Sequence, residues 1–460
     1  MTYGSTAAAI ERLMPVLGPA RLSQSMALRE QHGRDTTFHP VKPPEAVAFP
    51  ETVAEVQRIV ATCAELRVPM IPFGTGTSCE GHIAALHGGI CIDTSRLRTI
   101  RAVREADLDA TAEAGVTRKE LNAALHGSGL HFPIDPGADA SLGGMVSTRA
   151  SGTNAVRYGT MREQVLALEV VLPDGSLMTT GTRARKSSAG YDLTHLFTGS
   201  EGTLGIVTAA TVKLHPLPEH VAAATCTFPS LRAAVATVMQ TMQAGVPVGR
   251  VELLDDLQID AVNRYSKLAL PVAPTLFFEF HGSRGAVEDQ VALVRDIVES
   301  NGGARFEWAE RPEDRTRLWQ ARHDIWWANM GLRPGAQGLP TDVCVPISEL
   351  AANIEAAKAD VLEAGLIAPI CGHVGDGNFH LCFVVNADDG AEMARVDNVH
   401  ARMVERALAC GGTCTGEHGI GYGKKEFLKL EAGEAYAAMR TIKRAFDPLG
   451  IMNPGKIIDP

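Results

Sequence analysis

Two histidines, a glutamate and a third histidine late in the chain carry its densest chemistry. The run Cys371-Gly-His-Val-Gly-Asp-Gly-Asn-Phe-His-Leu-Cys sets His373 and His380 on either side of Gly-Asp-Gly-Asn at 375–378. Thr415-Gly-Glu-His-Gly then supplies Glu417 and His418. If 375–378 closes a hairpin loop, Val374 faces Phe379 and His373 faces His380. Directly opposed residues hold their Cβ atoms about 5 Å apart, so two imidazoles there could share one metal ion. Glu417 would be a third, anionic ligand, leaving a coordination position open as catalytic metal sites do. His418 would be an acid/base beside that metal. A plainer reading stands next to this one: buried histidines are usually just hydrogen-bonded, and glycine-rich turns are common.

The chain that must position these residues has 460 of them, enough for two or three domains with ample core. Hydrophobic content of 45% and charged content of 21% are those of an ordinary globular protein. No apolar run reaches the length of a membrane span, and residues 1–20 lack the basic-then-apolar pattern of a secretory signal. Nine cysteines without a C-x-x-C read as reduced thiols in a cytoplasmic protein. A net charge of −10 argues against nucleic acid as a partner.

The Pro-rich stretch 39–50 predicts an extended lead-in. Thr52-Val-Ala-Glu55 is a capping-box pattern, and Val53, Val56, Ile59, Val60 and Cys63 mark one face of a helix ending near Leu66. A strand at 68–73 then enters Gly74-Thr-Gly-Thr-Ser-Cys-Glu-Gly81. Such a loop offers backbone N–H groups and hydroxyls to an anion. It is neither a Walker loop nor a G-x-G-x-x-G turn opening a helix. Further glycine-rich stretches occupy 133–159 and 198–205. Pro173-Asp-Gly175 predicts a hairpin turn between strands at 168–172 and 176–179, and another strand is expected at 206–214. Three such loops suggest one extended, phosphate-bearing ligand; taken singly, each reads rather as an ordinary tight turn.

Around Pro216-Leu-Pro218 the glycine loops stop. Strand, helix and strand at 222–228, 231–243 and 248–254, then at 275–281, 287–300 and 305–310, predict a ferredoxin-like α+β second domain. Helices are expected at 398–409 and 432–446, followed by an irregular tail. The domains read as 1–218, 219–446 and a C-terminal segment, 447–460.

Together these motifs resemble the FAD-linked oxidoreductases of the vanillyl-alcohol oxidase / p-cresol methylhydroxylase superfamily. More narrowly they resemble its D-2-hydroxy-acid dehydrogenase branch, closest to the D-lactate dehydrogenase (cytochrome) type. The resemblance spans about 47–456. It rests on Pro72-Phe-Gly-Thr-Gly-Thr, Gly152-Thr-Asn-Ala-Val-Arg-Tyr-Gly159, Gly199-Ser-Glu-Gly-Thr-Leu-Gly205, Gly372–His380, Gly416-Glu-His-Gly419 and Met452-Asn-Pro-Gly-Lys456. The narrower match adds Arg322-His-Asp-Ile-Trp-Trp, Arg333-Pro-Gly and Thr341-Asp-Val-Cys-Val-Pro346. Pro340 stands where the D-2-hydroxyglutarate enzymes usually carry a Lys for a distal carboxylate, so the resemblance implies a monocarboxylic substrate.

The fold so implied is α+β: a two-part p-cresol-methylhydroxylase-type FAD-binding domain, a ferredoxin-like α+β cap, and a C-terminal segment returning to the flavin. The family match assigns Phe73, Gly74, Thr75, Gly76, Thr77, Ser78, Glu80 and Gly81 to the FAD pyrophosphate. It assigns Pro136, Gly137, Ser141, Gly143, Gly144, Gly152, Tyr158, Gly159, Glu201, Gly202, Gly205, Ile206, Val207 and Asn453 to the flavin cleft. The FAD is expected to be non-covalent, since His82 lacks the flanking motif for covalent linkage. His373, His380 and Glu417 match divalent-metal ligands, for zinc or manganese, and His418 the catalytic base. Arg322 matches the grip on the substrate carboxylate; on residue types alone it reads as a surface ion pair near the charged run 310–317. Trp326 and Trp327 are pocket wall or plain core.

The resemblance thus implies oxidation of a D-2-hydroxy acid, with electrons passed to cytochrome c, a quinone or an electron-transfer flavoprotein. Peripheral contact with the inner face of a membrane and a homodimer are both compatible with it. The acid so implied is D-lactate, oxidised to pyruvate. The rival readings are a flavoenzyme of the glycolate oxidase FAD subunit kind or one acting on a longer D-2-hydroxy acid or using oxygen as acceptor, a flavin-free metal hydrolase built on the same His/His/Glu set, and a non-catalytic flavin-binding subunit of a larger complex.

Overall fold

The computed structural model describes residues 2–459. They fall into two compact units: Met1–Gly152, Gly159–Leu217 and Glu417–Pro460 form the first, and Thr153–Tyr158 with Pro218–Gly416 the second. This division differs from 219–446 at two places, each with a local cause. The helix Ala435–Phe446 belongs to the first unit because Lys443 Nζ donates to Thr203 O (2.7 Å), Asp447 Oδ2 (2.6 Å) and Met452 O (2.9 Å). The short segment Thr153–Tyr158 belongs to the second because Asn154 Oδ1 accepts from Arg250 Nε at 2.8 Å.

In the first unit, Thr52 caps the helix Val53–Leu66 by accepting from Glu55 N. Only this half of the capping box forms, since the Glu55 carboxylate turns to Glu51 N and Arg21. The buried face Val56, Ile59, Val60 and Cys63 packs in one cluster with Ala46, Ala48, Met70, Ile90 and Ile92. The strands Ala46–Ala48, Ile90–Asp93 and Met70–Phe73 are parallel neighbours in that order. Ligands of open parallel sheets bind beyond the carboxyl ends of the strands, and the loop 74–81 leaves the sheet there.

A second, antiparallel sheet runs Ile100–Arg104, Asp109–Glu113, Ile206–Lys213, Val165–Val171, Leu177–Gly181. The expected Pro173-Asp-Gly turn pairs Val171 with Leu177. The C-terminal segment meets the parallel sheet through Met70 N to Ile451 O (2.8 Å) and Asn453 N to Met70 O (2.8 Å).

The second unit is built on a sheet in the order Ala304–Ala309, His220–Thr227, Thr275–Gly282, Val248–Leu254, Ile370–Gly372, Asn378–Val385, Gln337–Pro340. Its first four strands belong to two tandem strand–helix–strand units and interleave antiparallel, with helices Leu231–Gln243 and Arg284–Ser300 as crossovers. This is the ferredoxin-like order, extended on one side by the strands that carry the histidines. Helices Asp256–Ser266, Pro312–His323 and Leu350–Glu363 were not legible from periodicity. Pro312–His323 buries only Trp319 and Ala321, so its sequence shows no apolar stripe. Among the described residues, no helix is long and apolar enough to cross a membrane.

Candidate active site

The hairpin bearing the two histidines forms with a register different from the expected one. Cys371, not His373, pairs with His380, and Ile370 pairs with Leu381. The turn is longer than four residues: His373 O accepts from Asp376 N (3.0 Å) and Asn378 N (3.3 Å), so His373 lies in the turn rather than in the strand. A shift of two preserves the side on which residues point. His373 and His380 therefore remain on one face as diagonal neighbours, with ring centroids 5.5 Å apart and planes at 81°.

Each imidazole is held at Nδ1. His380 Nδ1 lies 2.9 Å from Thr341 O, and a carbonyl only accepts, so the proton sits on Nδ1 and the lone pair on Nε2. His373 Nδ1 lies 2.6 Å from Glu252 Oε1. A ring proton given to a carbonyl or carboxylate is the arrangement that makes histidine a metal ligand through its other nitrogen. Glu417 is bonded directly to Gly416, the last residue of the second unit. One ligand atom each from His373, His380 and Glu417 lie within 4.8 Å of one another. The donor set, spacing and tautomers fit a divalent metal with two nitrogen ligands and one oxygen ligand. Burial pushes the thiols of Cys371 and Cys382, which flank the pair, up to about 12 and about 11.

Arg322 does not make the surface ion pair that residue types alone suggested. Its Nε donates to the fully buried Glu252 at 2.6 Å. Burial favours the neutral acid, but the neighbouring His373 and Arg322 outweigh it and hold the Glu252 carboxyl below its usual range. Trp326 is half-buried, and its ring would meet a Cβ placed on Gly338; Trp327 is 61% exposed, so it is not core.

Asp342 ties down the approach to Glu417. Its Oδ1 accepts from Asn378 Nδ2 and its Oδ2 from Thr415 Oγ1, both at 2.7 Å. Sequence reasoning missed Glu252 and Asp342. The available signal was a lone carboxylate inside an otherwise apolar strand, Val251-Glu-Leu-Leu, since such a charge is buried only when paired.

His418 sits in the first unit, its Nδ1 3.6 Å from Glu80 Oε1, and Lys424 Nζ is 3.3 Å from the same oxygen. Glu80, assigned with the pyrophosphate loop, thus directs its carboxylate at His418 and Lys424. Glu201 likewise turns its carboxylate to the loop after His418, accepting from Ile420 N (2.7 Å) and Gly421 N (2.8 Å). Asn453 donates to Glu201 O (2.8 Å) and His82 O (3.1 Å). His82 is buried, 3.3 Å from Glu201.

The other residues assigned to FAD divide by surroundings. Phe73 ends its strand and is buried; Thr75 and Thr77 face one another at 3.2 Å. Gly81 N donates to Asp35 at 3.0 Å. A Cβ on Gly74 would meet Ser141 Oγ at 2.5 Å, and Ser141 caps the helix Leu142–Thr148 through Gly144 N. The loop 74–81 and the segment 136–144 therefore converge on bare backbone. Gly137, beside Pro136, has open space where a side chain would stand. That cradle suits the close approach of a dinucleotide pyrophosphate, so the residues fit FAD. By contrast Gly143, Gly152, Gly159, Gly202 and Gly205 are small for internal reasons. Side chains there would run into Ala114, Asp135, Glu163, Pro72 and Val170. Ile206 and Val207 are strand residues buried in the core. Tyr158 OH lies 3.3 Å from His281 Nδ1 in the second unit.

Comparison with known proteins bears on this architecture. Residues 217–457 match the family described as FAD linked oxidases, C-terminal domain, and residues 44–181 an FAD binding domain. The chain is 51% identical to a probable mitochondrial D-lactate dehydrogenase of Danio rerio, over 99% of this chain and 94% of that one. It is 44% identical to a mitochondrial D-lactate dehydrogenase [cytochrome] of Arabidopsis thaliana, over 93% and 76%. In fold it is similar to 4-ethylphenol oxidase from Gulosibacter chungangensis, with a TM-score of 0.81, 20% identity and coverage of 100% and 99%.

Proposed function

Because this chain belongs to the FAD-linked oxidases, in the branch that holds the D-lactate dehydrogenases, we propose that it oxidises D-lactate to pyruvate with the help of a divalent metal. FAD when bound supplies the two-electron acceptor, and the metal when bound supplies a Lewis acid that lowers the substrate hydroxyl pKa. The residues 74–81 and 136–144 would hold the FAD, and His373, His380 and Glu417 the metal, zinc or manganese.

The chain's own residues account for the rest. Arg322, anchored at Nε, presents a planar fork that matches a carboxylate and so selects an acid. His418 accepts the hydroxyl proton, with its Nδ1 3.6 Å from the Glu80 carboxylate. The α-hydrogen leaves the carbon with its electron pair, so the alcohol loses two electrons and two hydrogens and becomes the 2-oxo acid. Holding the donor carbon in line is where such a site gains most of its rate.

The observation that carries this reading is the His373, His380 and Glu417 group within reach of one ion. Relatives named for a cytochrome support a cytochrome as electron acceptor over a quinone or flavoprotein. Nine free cysteines support a reducing compartment, which we take to be the cytoplasm, including the inner face of a membrane. The test is dye reduction by the purified protein with D-lactate, L-lactate, glycolate and D-2-hydroxyglutarate. D-lactate should give the highest kcat/KM and L-lactate none. Preference for D-2-hydroxyglutarate would contradict the monocarboxylate reading drawn from Pro340.

A further inference from the structure

Glu252 stands on the strand Val248–Leu254 between two residues of unlike purpose. Oε1 lies 2.6 Å from His373 Nδ1, and Oε2 lies 2.6 Å from Arg322 Nε. The side chain is fully buried, as are Val251, Leu253 and Leu254 around it. Apolar residues of similar volume are usually as good or better for stability than a buried ion cluster, so packing does not account for a carboxylate here. Its two contacts do. The contact to His373 sets that ring's tautomer and angle, so that Nε2 is the ligating atom. The contact to Arg322 anchors Nε and so fixes the plane of the guanidinium.

We propose that Glu252 is a positioning residue that couples the two: one carboxylate presents His373 to the metal and Arg322 to the substrate acid, so a change at either reaches the other. This rests on the functional reading of His373 and Arg322 above. Sharing one anion has a direct consequence. Removing Arg322 takes away the cation that compensates Glu252 and leaves that carboxylate's charge unbalanced beside His373, so a divalent cation binds more tightly although Arg322 ligates nothing.

The experiment measures the Mn2+ dissociation constant of the FAD-loaded protein by calorimetry, with kcat, KM for D-lactate and the melting temperature alongside. In E252Q, Mn2+ binding should weaken about 10–100-fold, the range seen when such outer partners are lost, and KM should rise at least tenfold while the protein still melts cooperatively. In R322M, Mn2+ should bind at least threefold more tightly than in the wild type. That arm holds even if E252Q fails to fold. Unchanged Mn2+ affinity in either variant, with the wild type binding normally, overturns the coupling and leaves the proposed function standing. A wild-type protein that binds neither Mn2+ nor Zn2+ overturns the metal reading itself and this inference with it.

Discussion

In the proposed reaction His418, Arg322 and the ligand group would make separable demands. His418→Ala should slow flavin reduction by D-lactate about 10²–10⁴-fold, the usual worth of a general base, with the flavin spectrum unaltered; stopped-flow absorbance reads both. Exhaustive chelation should abolish turnover, and Mn2+ or Zn2+ should restore it, as a dye-coupled assay would show. His373, His380, Glu417 and His418 stand out in the sequence because their signals are local: two histidines flank one turn, and a glutamate precedes a histidine between glycines; Arg322 is singled out only by the resemblance. Glu252 and Asp342 do not stand out, because their partners lie far off in sequence. Glu252 meets Arg322 and His373 at separations of 70 and 121 residues, and Asp342 meets Thr415 at 73. No spacing rule reaches that far. Glu80 and Glu201 are assigned to the cofactor by the resemblance, and their carboxylates meet the stretch that carries His418.

Among the elements, the turn that holds His373 is the most exacting. Gly377 has φ +80°, and a Cβ there would collide with Val345 O. Gly377→Ala should cost about 1–3 kcal/mol, visible as a lower melting temperature and looser Mn2+ binding. The C-terminal segment makes a pH-dependent contribution. Burial lowers the Lys456 ammonium to about 7, well under its ordinary value of 10.5, while Nζ donates to Ala84 O. Between about pH 7 and 10.5 the unfolded chain binds this proton and the folded chain does not, so the Lys456 contribution to stability rises with pH there and is flat below. Denaturant unfolding of Lys456→Met should show its stability gain over wild type shrinking as pH rises from 7 to 10. Strands and crossover helices of the second unit were legible from periodicity; the hairpin register was not. A glycine-rich turn permits several lengths, and only the tertiary bonds of His373 select one.

For the whole molecule, the chain visits the first unit, builds the second, and returns at Glu417. The two domain types and the change near Pro218 were legible from composition and from the strand–helix–strand rhythm. The return at 417 was not, because Ala435–Phe446 looks like any amphipathic helix until Lys443 finds Thr203 O and Met452 O. The most direct test is anaerobic mixing of the yellow, FAD-loaded protein with D-lactate and, separately, with L-lactate, followed at the flavin absorbance maximum. The account predicts full bleaching by D-lactate and none by L-lactate. A flavin bleached by neither, or by L-lactate alone, would contradict it.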